Sequence, residues 1–235
     1  MTITIRRDAE ISDVDGGWFR ARWHFSFDTY RDPAYMRFGT LRVFNDDRLV
    51  PGAIWPMHPH RDIEGLTYVV EGSFRHQDDV GGAPGPLPAG SVQRMTLGRG
   101  AWHSEQNASE TEPMRFIQMW ILPAELGLEP GVEQKVFTEE DRTDRLLKVI
   151  SGDGGDAVRV HGDAHVFVSR LHPCVQVSHA LGGGRGVYLY VIDGEAEVIG
   201  ERMTTGDAAE IQDEPSIPIL ANAVTELIAV DVALS

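Results

Sequence analysis

A single cysteine, Cys174, stands in 235 residues, which excludes an intramolecular disulfide and agrees with a reducing compartment. It is expected to serve as a small buried hydrophobe rather than as a nucleophile. Long apolar runs are also missing. The longest, Phe116 to Leu122 and Tyr188 to Ile192, fall far short of the ~20 residues a spanning helix needs, so no membrane association is expected. Clusters of lysine or arginine are absent too, and a formal net charge of −15 at pH 7 repels phosphate backbones. Direct nucleic-acid binding is therefore disfavoured. The opening MTITIRRDAEISD places charges where a signal peptide carries its apolar stretch, so a cytoplasmic location is expected. Helical patterns of three or more turns are lacking, and only brief candidates occur, such as Thr138 to Leu147.

What is present is the composition of a folded soluble protein, 42% apolar and 24% charged. The 25 glycines and 13 prolines interrupt runs of four to eight residues rich in Val, Ile, Phe, Tyr and Trp. That rhythm predicts an all-β chain. Examples are MRFGTLRVF (Met36 to Phe44), GLTYVVEGSFRH (Gly65 to His76), MRFIQMWIL (Met114 to Leu122) and VYLYVIDGEAEVIG (Val187 to Gly200). A weak internal repeat pairs TYVVEGSF (Thr67 to Phe74) with LYVIDGEA (Leu189 to Ala196). Each copy is followed by a loop and a glycine, Gly90 and Gly206. The repeat predicts two similar barrels, residues 1–124 and 125–235, with the crossover around Pro123 to Pro130; a single large sandwich is the alternative.

Metal sites need several electron-pair donors converging on one point, and in a strand residues i and i+2 face the same way. His58 and His60, flanking Pro59, form one such pair, and His103 with Glu105 forms another. Two such pairs on facing strands would close a site of three imidazoles and one carboxylate. That donor set suits one divalent transition metal, Fe, Mn, Co, Ni, Cu or Zn. A five- or six-coordinate ion would keep open positions for substrate or dioxygen. The remaining histidines, His24, His76, His161, His165, His172 and His179, are expected to be ordinary. Glu64 reads as a loop-bonding or solvated carboxylate. The tryptophans at 18, 23, 55, 102 and 120 are expected in the core.

Gly52 followed by HPH and Gly72, and later Gly100-x-x-His103-x-x-x-Asn107, resemble the two cupin motifs. Gly98 replaces the second motif's proline, and one residue too many between Glu64 and Gly72 sets Glu64 aside. More specifically, HPHRDIEGLTYVVEGSFRHQDD, PAGSVQRMTLGRGAWHSEQN and FIQMWILP resemble the pirin family. These are bicupins, two tandem jelly-roll type β-barrels in one chain, and the similarity is closest to the bacterial pirin-like quercetin 2,3-dioxygenases. The resemblance implies that His58, His60, His103 and Glu105 are the metal ligands, with Fe(II) the first choice, and that the C-terminal barrel lacks a metal. In keeping with that, Ala180 and Gly182 register opposite His58 and His60.

The activity so implied is cleavage of the central ring of a flavonol by dioxygen with release of carbon monoxide. Glu105 would be the general base, and Gln118 a candidate hydrogen-bond donor behind it. The alternative implied by the same family is a metal-dependent regulatory protein acting through a protein partner. Metal-assisted hydrolysis or isomerisation is a third reading, since one fold hosts many chemistries. A monomer is expected.

Overall fold

In the computed structural model, which describes residues 2–82 and 85–234, the strand Arg185–Asp193 is buried throughout from Gly186 to Ile192. Its alternate side chains serve different cores. Tyr188, Tyr190 and Ile192 join one apolar cluster and Val187, Leu189 and Val191 join another, as the two-residue period of an extended chain requires. The same division organises the molecule. In the N-terminal half a seven-stranded sheet runs in the order Gly131–Val136, Ser91–Thr96, Glu64–Glu71, Met114–Ile121, Leu41–Leu49, Phe19–Trp23, Ser12–Asp15. It packs through Leu49, Val69 and Phe116 onto Phe74 and Leu87 of a four-stranded sheet, Ile54–His60, Ala101–Asn107, Ser73–Asp78, Leu87–Pro88.

The C-terminal half repeats this plan. Its seven-stranded sheet is ordered Thr2–Arg6, Ala208–Gln212, Arg185–Asp193, Thr225–Ala233, Ala164–Leu171, Leu147–Ser151, Val158–Arg159, and the four-stranded one Gln176–Ala180, Ser216–Ala221, Glu195–Val198, Glu201–Thr204. Two strands cross between the halves: Thr2–Arg6 pairs with Ala208–Gln212, and Gly131–Val136 pairs with Ser91–Thr96. For the division of the chain we propose 1–124 and 125–235, with those two strands each completing the other half's sheet.

The internal repeat is visible in the turns. Gly72 and Gly194 both have positive φ, 82° and 97°, and a Cβ at either would strike backbone at the start of a neighbouring strand, Met114–Ile121 or Thr225–Ala233 respectively. Gly90 N donates to Val69 O at 2.8 Å, and Gly206 N to Val191 O at 2.9 Å. The same hydrogen bond therefore closes each barrel.

The two large sheets meet face to face. Phe44, Leu66, Tyr68, Ile117 and Met119 from one and Val166, Tyr188, Tyr190, Ile228 and Val230 from the other form a common core. Each such fully buried side chain contributes roughly 1.5–3 kcal/mol, against about 0.5–1.5 for a typical hydrogen bond. Apolar contact holds the halves together and polar contacts orient them. Arg115 donates to Asp46 at 2.6–3.2 Å and Tyr190 Oη to the same carboxylate at 2.7 Å. Glu226 accepts from Tyr68 at 2.8 Å and Arg142 at 2.9 Å.

The expectations for Cys174 and for four of the five tryptophans need correction. Cys174 is exposed, in a left-handed turn (φ 68°) whose N–H donates to Ala221 O. Trp102 is 49% exposed because it alternates with inward-facing His103. Of the tryptophans, Trp23 is fully buried, whereas Trp18, Trp55 and Trp120 are partly so. The short helix expected near Thr138 is Glu139–Arg142, with Thr138 accepting from Asp141 N as its cap.

Candidate metal centre

Ile54–His60 and Ala101–Asn107 are antiparallel neighbours, with His58 opposite His103 and His60 opposite Ala101. Because directly paired residues point the same way, the imidazoles of His58, His60 and His103 converge inside the first barrel. One nitrogen from each lies within 4.8 Å of the others, and the ring centroids are 4.5–5.3 Å apart. The ladder is irregular between His103 and Glu105. Glu105 faces a small cavity of about 30 Å³ together with His58, His60, Asp47 and Gln118, but its oxygens stand outside the 4.8 Å group. Gln118 Nε2 donates to both of them, at 3.1 and 3.3 Å.

The electrostatics favour neutral imidazoles. Burial, reinforced by the neighbouring rings His103 and His58, lowers His60 to about 4. Burial and the rings of His58 and His76 lower His103 to about 3. Neutral nitrogen is the form that donates a lone pair to a cation. His58 Nδ1 is 2.7 Å from Pro56 O; a carbonyl only accepts, so Nδ1 carries the hydrogen and Nε2 keeps its lone pair. Glu105 is 4% exposed, and burial raises its carboxyl although His76, His58 and Gln118 pull the other way.

A metal ion fits these residues on two observations. His103 Nε2 is buried without a hydrogen-bond partner, a costly state that an ion would relieve. Every titratable side chain lining the small cavity is an imidazole or a carboxylate, with no lysine or arginine to oppose a cation. His58, His60 and His103 form the group that could hold it, and Glu105 borders the same cavity.

A pocket of about 590 Å³ opens beside the histidines, lined by Phe19, Trp23, Phe27, Trp55, Trp120 and the edge of His58 and His60, with Asp28, Arg31 and Arg42 at its polar side. Trp120 packs edge-on to His60 with centroids 4.6 Å apart. This volume suits a multi-ring organic molecule.

Other sequence candidates fall elsewhere. Glu64 is fully buried at the junction of the barrels, where it accepts from Thr96 Oγ1 at 2.6 Å and from the backbone of His161. Gln118 is the donor expected behind Glu105. Asp47 was not anticipated. It is 2% exposed, its Oδ1 lacks a partner, and burial raises it well above the carboxylate range, with Glu105 and Asp46 adding to the effect. The visible signal was Asn45-Asp46-Asp47, three polar residues inside a buried strand. His76, expected to be ordinary, lies 3.2 Å from His103.

The chain is similar to known proteins in both of its halves. Residues 5–121 match the Pirin family, and residues 148–232 match the family described as quercetinase C-terminal cupin domain. A pirin-like protein of Caulobacter vibrioides is 40% identical over 226 residues, covering 95% of this chain and 97% of that protein. A protein of Escherichia coli K12 named quercetin 2,3-dioxygenase is 37% identical over 230 residues, 97% and 98% of the two chains. The crystal structure of the bacterial pirin YhhW from Escherichia coli in complex with nickel(II) superposes over the full length of both chains, with a TM-score of 0.93 at 36% identity. The expected architecture of two tandem cupin barrels is thereby established. With family matches in both halves and full-length relatives at this identity, the chain is a member of the pirin family.

Proposed function

We propose that this pirin is a metal-dependent dioxygenase that opens the central ring of a flavonol such as quercetin. The observation that carries the reading is the triangle of imidazoles at the edge of an aromatic-walled pocket of about 590 Å³. Names of relatives such as the Escherichia coli quercetin 2,3-dioxygenase support the substrate class.

His58, His60, His103 and Glu105 would hold the metal, Fe(II) in our reading, with Mn, Co, Ni, Cu or Zn as other ions suited to these donors. When bound, the ion supplies an acceptor for the flavonol 3-oxygen and a path for electrons between the organic ring and dioxygen. The chain's own groups do the rest. Trp55, Trp120 and Phe27 clasp the planar rings and exclude water, which strengthens every polar contact within. The Glu105 carboxylate accepts the 3-hydroxyl proton, and its raised affinity for that proton suits it to the task. Gln118 keeps the carboxylate aimed. Both oxygen atoms of dioxygen end in the depside product, and carbon 3 leaves as carbon monoxide.

Anaerobic loading with Fe(II), Mn(II), Ni(II) or Cu(II), followed by admission of oxygen, should bleach flavonol absorbance and release carbon monoxide. Glu105→Gln should lower kcat by about 10²–10⁴-fold. Absence of turnover with every metal would sink the reading. A second reading, a metal-dependent regulatory protein acting through a protein partner, is favoured by half-exposed Trp102, which is paired with Pro59 on the outer face of the strands that carry the histidines. A captured partner that is lost with His58→Ala would support it.

A further inference from the structure

The motif His76-Gln77-Asp78 is a third pair of polar side chains at i and i+2, on the strand Ser73–Asp78 that flanks Ala101–Asn107. The register sets Asp78 opposite His103 and His76 opposite Glu105, so all four side chains share the inner face. His103 Nδ1 lies 3.2 Å from His76 Nε2. His76 Nδ1 has no hydrogen-bonded partner in the described residues, but Asp78 Oδ2 is the anion that faces it, 3.2 Å away and within ion-pair reach. Both of the latter side chains are buried, at 0% and 1% exposure. The other oxygen of Asp78 accepts from Val80 N at 2.9 Å and Gly82 N at 2.8 Å. That turn pins the carboxylate where it stands.

From this geometry we infer that Asp78 and His76 are positioning residues for the metal centre: together they impose on His103 the one tautomer that can bind an ion. The logic is directional. A carboxylate only accepts, so His76 Nδ1 carries the hydrogen and His76 Nε2 is left as an acceptor. His103 must then carry its hydrogen on Nδ1 and donate it to His76. The lone pair is thereby placed on His103 Nε2, the buried nitrogen that has no partner in the protein. His58 reaches the same result through Pro56 O. Two ligands are thus set by acceptors behind them, one a backbone carbonyl and the other an anion acting through an intervening ring.

The inference rests on the histidines holding a metal, and the test separates the two. Asp78→Asn preserves an oxygen for Val80 N and Gly82 N but turns an amide hydrogen toward His76. That reverses every donor and acceptor along the chain and places the hydrogen of His103 on Nε2. His76→Gln preserves the sense, with the amide oxygen toward His103 and the amide nitrogen toward Asp78; His76→Leu abolishes it. Two readouts serve: calorimetric titration of the metal-free proteins with Ni(II), and ¹⁵N-histidine NMR of the metal-free proteins to assign tautomers.

Expected are the Nδ1–H form of His103 in the wild type, its Nε2–H form in Asp78→Asn, and a 10–100-fold loss of Ni(II) affinity in Asp78→Asn and His76→Leu. His76→Gln should stay within a few-fold of the wild type. Wild-type affinity in Asp78→Asn, or equal losses in His76→Gln and His76→Leu, would overturn the inference while leaving the metal centre intact. If His103→Ala binds Ni(II) as the wild type does, the metal assignment itself fails and the inference fails with it.

Discussion

Gln118 gives its amide hydrogens to both oxygens of Glu105 from the adjacent sheet, across the interior of the first barrel. A buried carboxylate with one such neighbour depends on it for orientation. Gln118→Leu should therefore lower flavonol turnover by about 10–100-fold while bound metal, measured by elemental analysis, changes little. Unchanged kcat would remove Gln118 from the proposed machinery.

Asp46 joins the halves by accepting from Arg115 and from Tyr190. Burial alone would raise its carboxyl, but the hydrogen bond and charge of Arg115 outweigh that and hold it below the usual range. A depressed carboxyl contributes stability that is present above its unfolded pKa and lost as pH falls through the folded value. Asp46→Ala should cost about 3–5 kcal/mol near neutrality, since Arg115 is left buried without a counter-charge. Its penalty relative to the wild type should shrink below about pH 4, as read by urea denaturation at several pH values.

His24 is wholly buried between the barrels, with Nδ1 2.7 Å from Tyr188 Oη, and burial lowers it to about 3. The unfolded chain takes up this proton near pH 6.5 and the folded chain refuses it until about pH 3. Stability must then fall with pH across that window, by up to about 1.4 kcal/mol per unit from this residue. His24→Gln should make the curve of unfolding free energy against pH shallower by one proton, measured from pH 6.5 downward. An unaltered slope would show that His24 titrates outside this window.

Binding of an ion to the native state alone raises the melting temperature. Ni(II) at a hundred times its dissociation constant should add about 2.7 kcal/mol, and a chelator should remove it. His58→Ala, His60→Ala and His103→Ala should each lose most of this shift in a calorimetric scan. A shift retained in all three would place the ion elsewhere.

The donor pairs at 58/60 and 103/105 were legible in the sequence because strand parity alone puts each pair on one face. Gly72 and Gly194 were legible because both halves need a left-handed turn at the same point. His76 and Asp78 have the same parity, but His76 reads locally as an ordinary histidine. Their meaning lies in the register with Ala101–Asn107, which no short window encodes. Asp47 was hidden for the same reason, since only the closed barrel decides which side of Leu41–Leu49 is dry. Cys174 and Trp102 show the converse, residue types that usually seek the core left outside by a turn and by alternation.

The crossing strands give the molecule a schedule. Thr2–Arg6 leaves the ribosome some 200 residues before Ala208–Gln212, the segment it pairs with. At about 5–20 residues per second it waits on the order of 10–40 s with its edge unsatisfied. Gly131–Val136, by contrast, is made soon after Ser91–Thr96, so the barrel with the histidines can close while its sibling is still being translated.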